Sequence, residues 1–375
     1  MAAPLTHKKD ALIRIARRDS MPMWRSILVR VIAVIASLLV AGVIIYLLTG
    51  ASPIKVYESM IQGAFGNSKA NYSQKTWQTI RDTMMLLCIA VGLAPAFKMK
   101  FWNIGAEGQV LVGGIVTAAC MIYFKNLPPV LLFLVMLVSS LVVGALWGLL
   151  PAVFKAKWNT NETLFTLMMN YVALQLTSFC VAKWENPVGS NKVGIINPGA
   201  GNQQGWFPPI FGQDYLLNVI LVMAVTIGMF FYLKYSKQGY EISVIGDSQN
   251  TARYAGISVN KVIIRTMLIS GAICGMAGFI TVAGSSHTIS TSTAGGKGFT
   301  AIIVAWLAKF NTFTMILIAL LITVLDKGAI QVATEFNISK DMSNMITGII
   351  LFFIIGSEFF INYRLVLRKK EKEAA

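Results

Sequence analysis

The sequence predicts an all-α integral membrane protein with about ten transmembrane helices, some broken or short, and both termini in the cytoplasm. Three observations carry this expectation. Of 375 residues, 55% are hydrophobic and only 13% are charged, about half the share of near 25% usual in soluble domains. The apolar residues gather in ten runs, most of them near the roughly 20 residues that a bilayer-spanning helix needs. The net charge is +16, from 32 Lys+Arg against 16 Asp+Glu, and the cations collect at the ends of the runs and towards both termini, as cytoplasmic flanks do. Such a composition excludes a soluble globular enzyme, a disordered chain and a disulfide scaffold. An excess of positive charge also suits nucleic acid, but its placement at run ends assigns it to membrane lipid, and no nucleic-acid partner is expected.

Residues 1–26 read as a basic cytoplasmic tail, with Lys8, Lys9, Arg14, Arg17, Arg18 and Arg25. The run Ile27–Thr49 is longer than a signal-peptide core of about 7–15 residues, and no small-x-small cleavage site follows it, so it reads as a retained helix. The transmembrane region then extends over 27–363 as one domain. After an outer loop 50–81, which carries Lys55, Lys69, Lys75 and Arg81, come runs near 82–98, 104–124, 130–150 and 161–182. An outer loop, 183–214, rich in Gly, Pro and aromatic residues, separates these from runs near 215–233, 262–283, 298–309, 313–332 and 343–363. The loop 234–261, with Lys234, Lys237, Arg253 and Lys261, falls in the cytoplasm, as does the basic tail 364–375. Runs 82–98 and 298–309 are shorter than a full span, yet two cytoplasmic ends require an even number of crossings. The cysteines Cys88, Cys120, Cys180 and Cys274 lie in apolar runs without CxxC spacing and read as small apolar side chains.

No catalytic or metal-binding constellation is present. The two histidines are His7 and His287, and neither HExxH nor GxSxG occurs. Gly295-Gly-Lys297-Gly298 lacks the upstream glycine and the following Ser/Thr of a Walker A loop. If ATP drives this protein, another chain binds it, and no cofactor is expected here. The informative residues are polar ones at membrane depth. Asn103, Glu107 and Gln109 open an apolar stretch, among Gly105, Gly108, Gly113 and Gly114, which suit close backbone approach. An uncompensated carboxylate there costs at least ~2.5 kcal/mol, so Glu107 should face the bundle interior, either lining a pathway or capping and stapling helices. A faint echo, Thr293–Phe299, opens a second stretch, and paired broken helices point to a transporter's binding site. Ser285, Ser286, His287 and Thr288 begin the most hydroxyl-rich stretch, suited to a polyhydroxylated solute or to a plain solvated loop. In the cytoplasmic loop, Gly246-Asp247 offers a helix N-cap, Ser248 to Ala255 about two turns, and Gly256 a C′ residue. A helix that short is ordered by docking, and Arg253 and Tyr254 are of types enriched in interface hot spots.

The stretch Phe101-Trp-Asn-Ile-Gly-Ala-Glu-Gly-Gln109 resembles the signature of permease subunits in bacterial ABC importers for nucleosides and simple sugars. Asn161–Tyr171 is similar to that family's segment ahead of its central crossing, Gly246–Gly256 to its coupling loop, and Gly298–Ala305 to its late glycine-led helix. The resemblance covers about 30–363, and Asn-Ile-Gly-Ala-Glu-Gly-Gln looks more like the nucleoside branch than the ribose branch. The chain departs from the pattern at Ser248-Gln249, where the family usually has Asn-Pro. The resemblance implies a transmembrane permease of a bacterial cytoplasmic (inner) membrane that imports a nucleoside, simple sugar or related small polar solute. It implies three partners: a cytoplasmic ABC ATPase, a second, often non-identical permease, and an extracytoplasmic substrate-binding lipoprotein docking partly on 183–214. The expected pathway residues are Asn103, Glu107, Gln109, Asn170, Ser285, Ser286, His287 and Thr288. The expected coupling residues are Gly246, Asp247, Ala252, Arg253, Tyr254, Ala255 and Gly256. The alternative is an ion-coupled secondary transporter, which shares broken helices and buried polar residues but needs no docking helix.

Overall fold

A computed structural model describes residues 13–18, 21–50, 52–67, 69–199, 203–337 and 339–367. His7, Lys8, Lys9 and the cations from Arg368 onward lie outside the described residues. The described chain is mainly helical, as the composition predicts, and divides into two compact units: Met1–Gly63 with Leu325–Ala375, and Ala64–Val324.

The first unit is built on α1 (Met23–Thr49) and α13 (Lys340–Asn362), which pack against each other. At one end of this pair, β1 (Ile13–Arg17) runs antiparallel to β2 (Tyr363–Leu367), with Ile13 opposite Leu367 and Arg17 opposite Tyr363. The sequence reading had only basic tails here. A strand pair forms because the two helix ends deliver both tails side by side, and pairing satisfies backbone groups that would otherwise need water. Arg30 of α1 donates through Nε to Glu358 Oε1 of α13 at 3.1 Å, which neutralises two charges carried on apolar helices. α2 (Pro53–Phe65) lies within the segment expected to be an outer loop. Its apolar residues follow helical spacing. Val56 and Met60 enter a core with Ala41, Ile45, Ile346 and Ile350, together with Leu325 and Val332 of α12 (Thr312–Glu335).

The second unit holds α3 (Lys69–Lys98), α4 (Ala106–Tyr123), α5 (Pro129–Trp158), α6 (Glu162–Lys183), α7 (Leu216–Tyr235), α8 (Lys237–Asp247), α9 (Gln249–Tyr254), α10 (Val259–Thr281) and α11 (Lys297–Leu307). α3 begins well before residue 82, so the first short run is in fact a 30-residue helix. Residues 69–81 are too polar to read as a span, but they contain neither Gly nor Pro, and nothing stops helix propagation through them. α10 continues through a π-helical turn, Val282–Ser286. α3, α4 and α10 are buried along most of their length, whereas α5, α6 and α7 present apolar side chains outward. This is the pattern of an inner layer shielded by a lipid-facing one.

α10 is the hub and packs on α5, α4 and α3. Lipid tails are as apolar as leucine, so helices in a bilayer gain by close backbone contact at small residues. Here a side chain on Gly113 would run into the Gly275 carbonyl, one on Gly275 into the Ser140 carbonyl, and one on Gly144 into the Gly271 carbonyl. Gly275→Leu must therefore push α10 away from α5. The expected loss is about 1–3 kcal/mol of stability, read as a lowered thermal midpoint in detergent. An unchanged midpoint would show that the α10–α5 approach is looser than described.

Among the described residues, nine helices are long and apolar enough to cross a membrane: α1, α3 to α7, α10 with its π turn, α12 and α13. The protein is thus a multi-pass membrane protein. The β1–β2 pair puts both ends of the first unit on one side, so crossings must sum to an even number. α11 is apolar but only 11 residues, about 16 Å long, which is too short to span the hydrocarbon core by itself.

Candidate functional site: two helix breaks joined at a carboxylate

α3 ends at Lys98, and α4 does not begin until Ala106, so Asn103 lies in non-helical chain rather than inside a span. Irregular backbone at membrane depth is tolerated only where protein satisfies its polar groups. The structure shows how this is done. Asn170 of α6 donates through Nδ2 to the Ile104 carbonyl at 2.9 Å and accepts from the Gly108 amide at 2.8 Å. Thr166 Oγ1, one turn earlier on α6, accepts from the Ile104 amide at 3.2 Å. Asn103 Oδ1 accepts from the Gly105 amide at 3.1 Å. Its Nδ2 donates to Ser270 Oγ of α10 at 3.3 Å and to Gln109 Oε1 at 3.4 Å. Asn103, Gln109 and Asn170 are all buried, and their bonds are spent on holding the break open.

Glu107 occupies the first turn of α4 and is 8% exposed. Its Oε1 accepts from the Gly296 amide at 2.7 Å, and its Oε2 from the Gly298 amide at 2.8 Å. Those amides open α11, so one carboxylate sits where the positive ends of two helices meet. The turn that aims them needs glycine: Gly295 and Gly296 have φ of +60° and +76°. A side chain on Gly298 would strike Glu107. The two glycine-rich interruptions that echo each other in sequence are therefore in direct contact. α11 runs alongside α3, with the Lys297 amine 3.1 Å from Met85 Sδ and the Trp306 ring 6.4 Å from that of Phe97. Glu107 thus lies about an α11 length away from the inner end of α3, well inside the bundle.

The hydroxyl-rich stretch forms a second group, at the outer end of α10. Ser286 Oγ donates to the Thr281 and Thr288 carbonyls at 3.1 and 2.9 Å. Asn218 Nδ2 of α7 donates to the Gly284 carbonyl at 3.2 Å and reaches Ser285 Oγ at 3.5 Å. His287 adopts a left-handed conformation (φ +50°) and stacks on Trp206, with centroids 3.7 Å apart and planes 6° apart. Its carbonyl accepts from Ile196 at 2.8 Å, so the outer loop is stitched to this turn. Burial pushes the His287 imidazole down from its ordinary value, the nearby Arg81 charge pushes it further, and Asp214 opposes them; the ring is neutral at pH 7. Ser285 to Thr288 are half-buried rather than a solvated loop. Sequence reasoning missed Arg81, Asp82, Tyr215, Asn218 and Lys297, which stand close by. The one available signal was the Arg81-Asp82 pair at the edge of an apolar run.

On the opposite end lie α8 and α9. Asp247 is the last residue of α8, and the N-cap of α9 is Ser248, whose Oγ accepts from the Thr251 amide at 3.2 Å. The expectation of a Gly246-Asp247 cap is corrected: α8 continues to Asp247 because a side chain on Gly246 would meet the Lys98 carbonyl, and glycine lets the helix lie on the end of α3. Gly256 follows α9 with φ of +76°, as a C′ glycine should. Ala252 is fully buried, whereas Arg253, Tyr254, Ala255 and Gly256 are exposed, Tyr254 by 93%. Glu241 of α8 and Arg265 of α10 form an ion pair at 3.0 Å that ties this element to the hub. Among the described residues, no group of three or more His, Cys, Asp or Glu could hold a metal ion.

A family model described as branched-chain amino acid transport system / permease component matches residues 75–355. The chain is 31% identical over 352 residues to the guanosine ABC transporter permease protein NupP of Bacillus subtilis (strain 168), covering 93% of this chain and 98% of that one. It is 28% identical over 360 residues to the glucose ABC transporter permease protein TsgB13 of Haloferax volcanii, covering 92% of each. It is 28% identical over 340 residues to the nucleoside ABC transporter permease protein NupB of Lactococcus lactis, covering 88% of this chain and 91% of that one. No solved structure matches the chain.

Proposed function

The chain belongs to the family of branched-chain amino acid transport system permease components, and from that premise we propose that it imports a nucleoside across a bacterial cytoplasmic membrane. It is a transport subunit and not an enzyme. The observation that carries the solute is the likeness, along nearly the whole chain, to two permeases whose names specify guanosine and nucleosides. The glucose permease, at similar identity, keeps simple sugars as the neighbouring solute class. In this reading, a cytoplasmic ATPase docks on α9 through Arg253 and Tyr254. A second permease completes the pathway, and an extracytoplasmic binding protein seats partly on 183–214, where Val188 and Phe211 are 90% and 94% exposed. Asn103, Gln109 and Asn170 act by keeping the α3–α4 break in shape, and Glu107 by joining it to α11.

The test is uptake of labelled guanosine and glucose by cells that lack their own nucleoside import and express this chain with an ATPase, a second permease and a binding protein from the same genome. Uptake of guanosine is expected to stop when the ATPase is disabled and to outlast a brief protonophore pulse while ATP remains. Uptake that collapses with the protonophore and ignores the ATPase would favour the ion-coupled alternative. The purified chain alone, in nanodiscs, is expected to hydrolyse no ATP above background, since its only Gly-Lys pair starts α11 and lacks the Walker A flanks.

A further inference from the structure

The hub helix α10 reaches from the α8–α9 element to the outer loop, and it is held at both ends. At the inner end, Arg265 Nη2 donates to Glu241 Oε2 of α8 at 3.0 Å. The chain passes from α9 to α10 through residues 255–258 alone. That link is itself braced, since the Ile257 amide donates to the Ala252 carbonyl at 2.9 Å. At the outer end, the π turn Val282–Ser286 makes the attachment. In an α-helix, the His287 and Thr288 amides would take the Ala283 and Gly284 carbonyls. Here the wider turn sends the His287 amide back to the Val282 carbonyl at 2.9 Å, which leaves the next two carbonyls to other donors. The Ala283 carbonyl accepts from the Phe207 amide at 3.1 Å, and the Gly284 carbonyl from Asn218 Nδ2 of α7 at 3.2 Å. With the Ile196 amide on the His287 carbonyl at 2.8 Å, the outer loop is bonded to this end of α10 at two points.

We propose that α10 is a strut that carries the nucleotide state of the ATPase to the outer loop at 196–207, and that Glu241 and Arg265 are the positioning residues that grip its inner end. This inference rests on the proposed function, in which the ATPase docks on α9. Three features support transmission rather than bracing alone. First, Arg265 and Ala283 stand about 27 Å apart along one helix, which is most of the roughly 30 Å of a bilayer's hydrocarbon core. A shift at one end therefore arrives at the other without passing through a loop. Second, between its ends α10 is seated on glycine. Side chains on Gly271 and Gly278 would meet the Gly144 and Val110 carbonyls, so backbone lies on backbone at those points. Packed helices can shear past one another by small amounts, and no side chains interlock there to oppose it. Third, the Glu241 and Arg265 side chains keep 17% and 32% of their surface open, and a partly exposed ion pair adds little to stability. What the pair does fix is the place of α10 relative to α8. The outer grip is equally specific: a side chain on Gly284 would strike Asn218. By linkage, a binding protein seated on the outer loop is felt in turn at α9.

The experiment places Arg265→Gln, Glu241→Gln and the swapped pair Glu241→Arg with Arg265→Glu in the whole importer, reconstituted in nanodiscs with its ATPase, second permease and binding protein. The reporter is Ile195→Cys in a Cys180→Ser chain, at an outer-loop position that is 56% exposed; the other cysteines, Cys88, Cys120 and Cys274, are buried. A hydrophilic thiol reagent is added without nucleotide and again with ATP and vanadate. In the parent chain the two labelling rates are expected to differ about fivefold or more, the low end of coupling between two sites, and in each single variant by less than about twofold. The ATPase is expected to co-purify as before, the thermal midpoint to stay where it was, and the swapped pair to regain most of the difference. Guanosine uptake by cells, measured without the reporter, is expected to fall about fivefold or more in the single variants. A labelling difference kept at full size in both single variants overturns the proposal. So does a lowered midpoint in both, with no recovery in the swapped pair, because the ion pair is then a brace. Equal labelling in the two nucleotide states, in a parent importer that takes up solute, overturns it as well. A parent importer that retains no ATPase and takes up neither guanosine nor glucose overturns the proposed function, and the strut falls with it.

Discussion

Glu107→Ala is expected to lower uptake by roughly tenfold or more, while Glu58→Ala leaves it near wild type. The carboxylate of Glu107 accepts from two amides at the start of α11, one half-buried and one buried, and bonds to a charged acceptor contribute about 1.5–3 kcal/mol each. Truncation leaves both amides without an acceptor in a region where water cannot serve, and the contact between the two breaks is lost. Glu58 is exposed on α2, and its Oε1 accepts only from Gln62 at 3.2 Å among the described bonds. Glu107→Gln is expected to fall between the two, because an amide offers one acceptor oxygen to two donors and turns its own N–H₂ towards the other. Uptake at matched membrane expression checks this, alongside a thermal midpoint that should fall by several degrees for Ala only. Wild-type uptake by Glu107→Ala would show that the junction is dispensable.

Arg253→Glu should uncouple the permease from its motor without unfolding it. α9 has only six residues and cannot persist as an isolated helix. It is fixed by the Ser248 cap and by Ala252, whose side chain is fully buried, while Arg253 and Tyr254 point away from the unit. Reversing an exposed charge leaves that anchoring intact and removes a hot-spot contact of ~2 kcal/mol or more, about 30-fold in affinity. The measurement is co-purification of the ATPase and ATP-dependent uptake, with Tyr254→Ala as a second probe of the same face. Normal levels of both in either variant would move the docking site off α9. An intact melting profile is part of the expectation, and its loss would mean that Arg253 supports the fold.

The sequence by itself determined the class of the protein. Apolar runs of spanning length and cations at their ends are local in the chain, and the bilayer demands them wherever the helices end up. The same holds for α9: a cap, a short helix and Gly256 are written in consecutive residues, and only the capping residue shifted, from Asp247 to Ser248. The glycines Gly105, Gly108 and Gly113 were legible as sites of close approach, although their neighbours Thr166, Asn170 and Gly275 were not.

What only the tertiary structure decided is which distant residues meet. Glu107 and Gly296 are 189 positions apart, and Asn170 serves a break 62 to 66 positions away. The extension of α3 back to Lys69 was hidden because hydropathy marks where lipid begins, whereas a helix ends where backbone bonding ends. The β1–β2 pair and the Arg81–Asp82–Lys297 cluster were hidden for a related reason. A charge or a strand edge is stabilised by whatever stands opposite it, and that is set by how α1 lies on α13 and how α11 lies on α3. Periodicity names the face of a helix that is buried; the identity of the neighbour comes from packing all the helices at once.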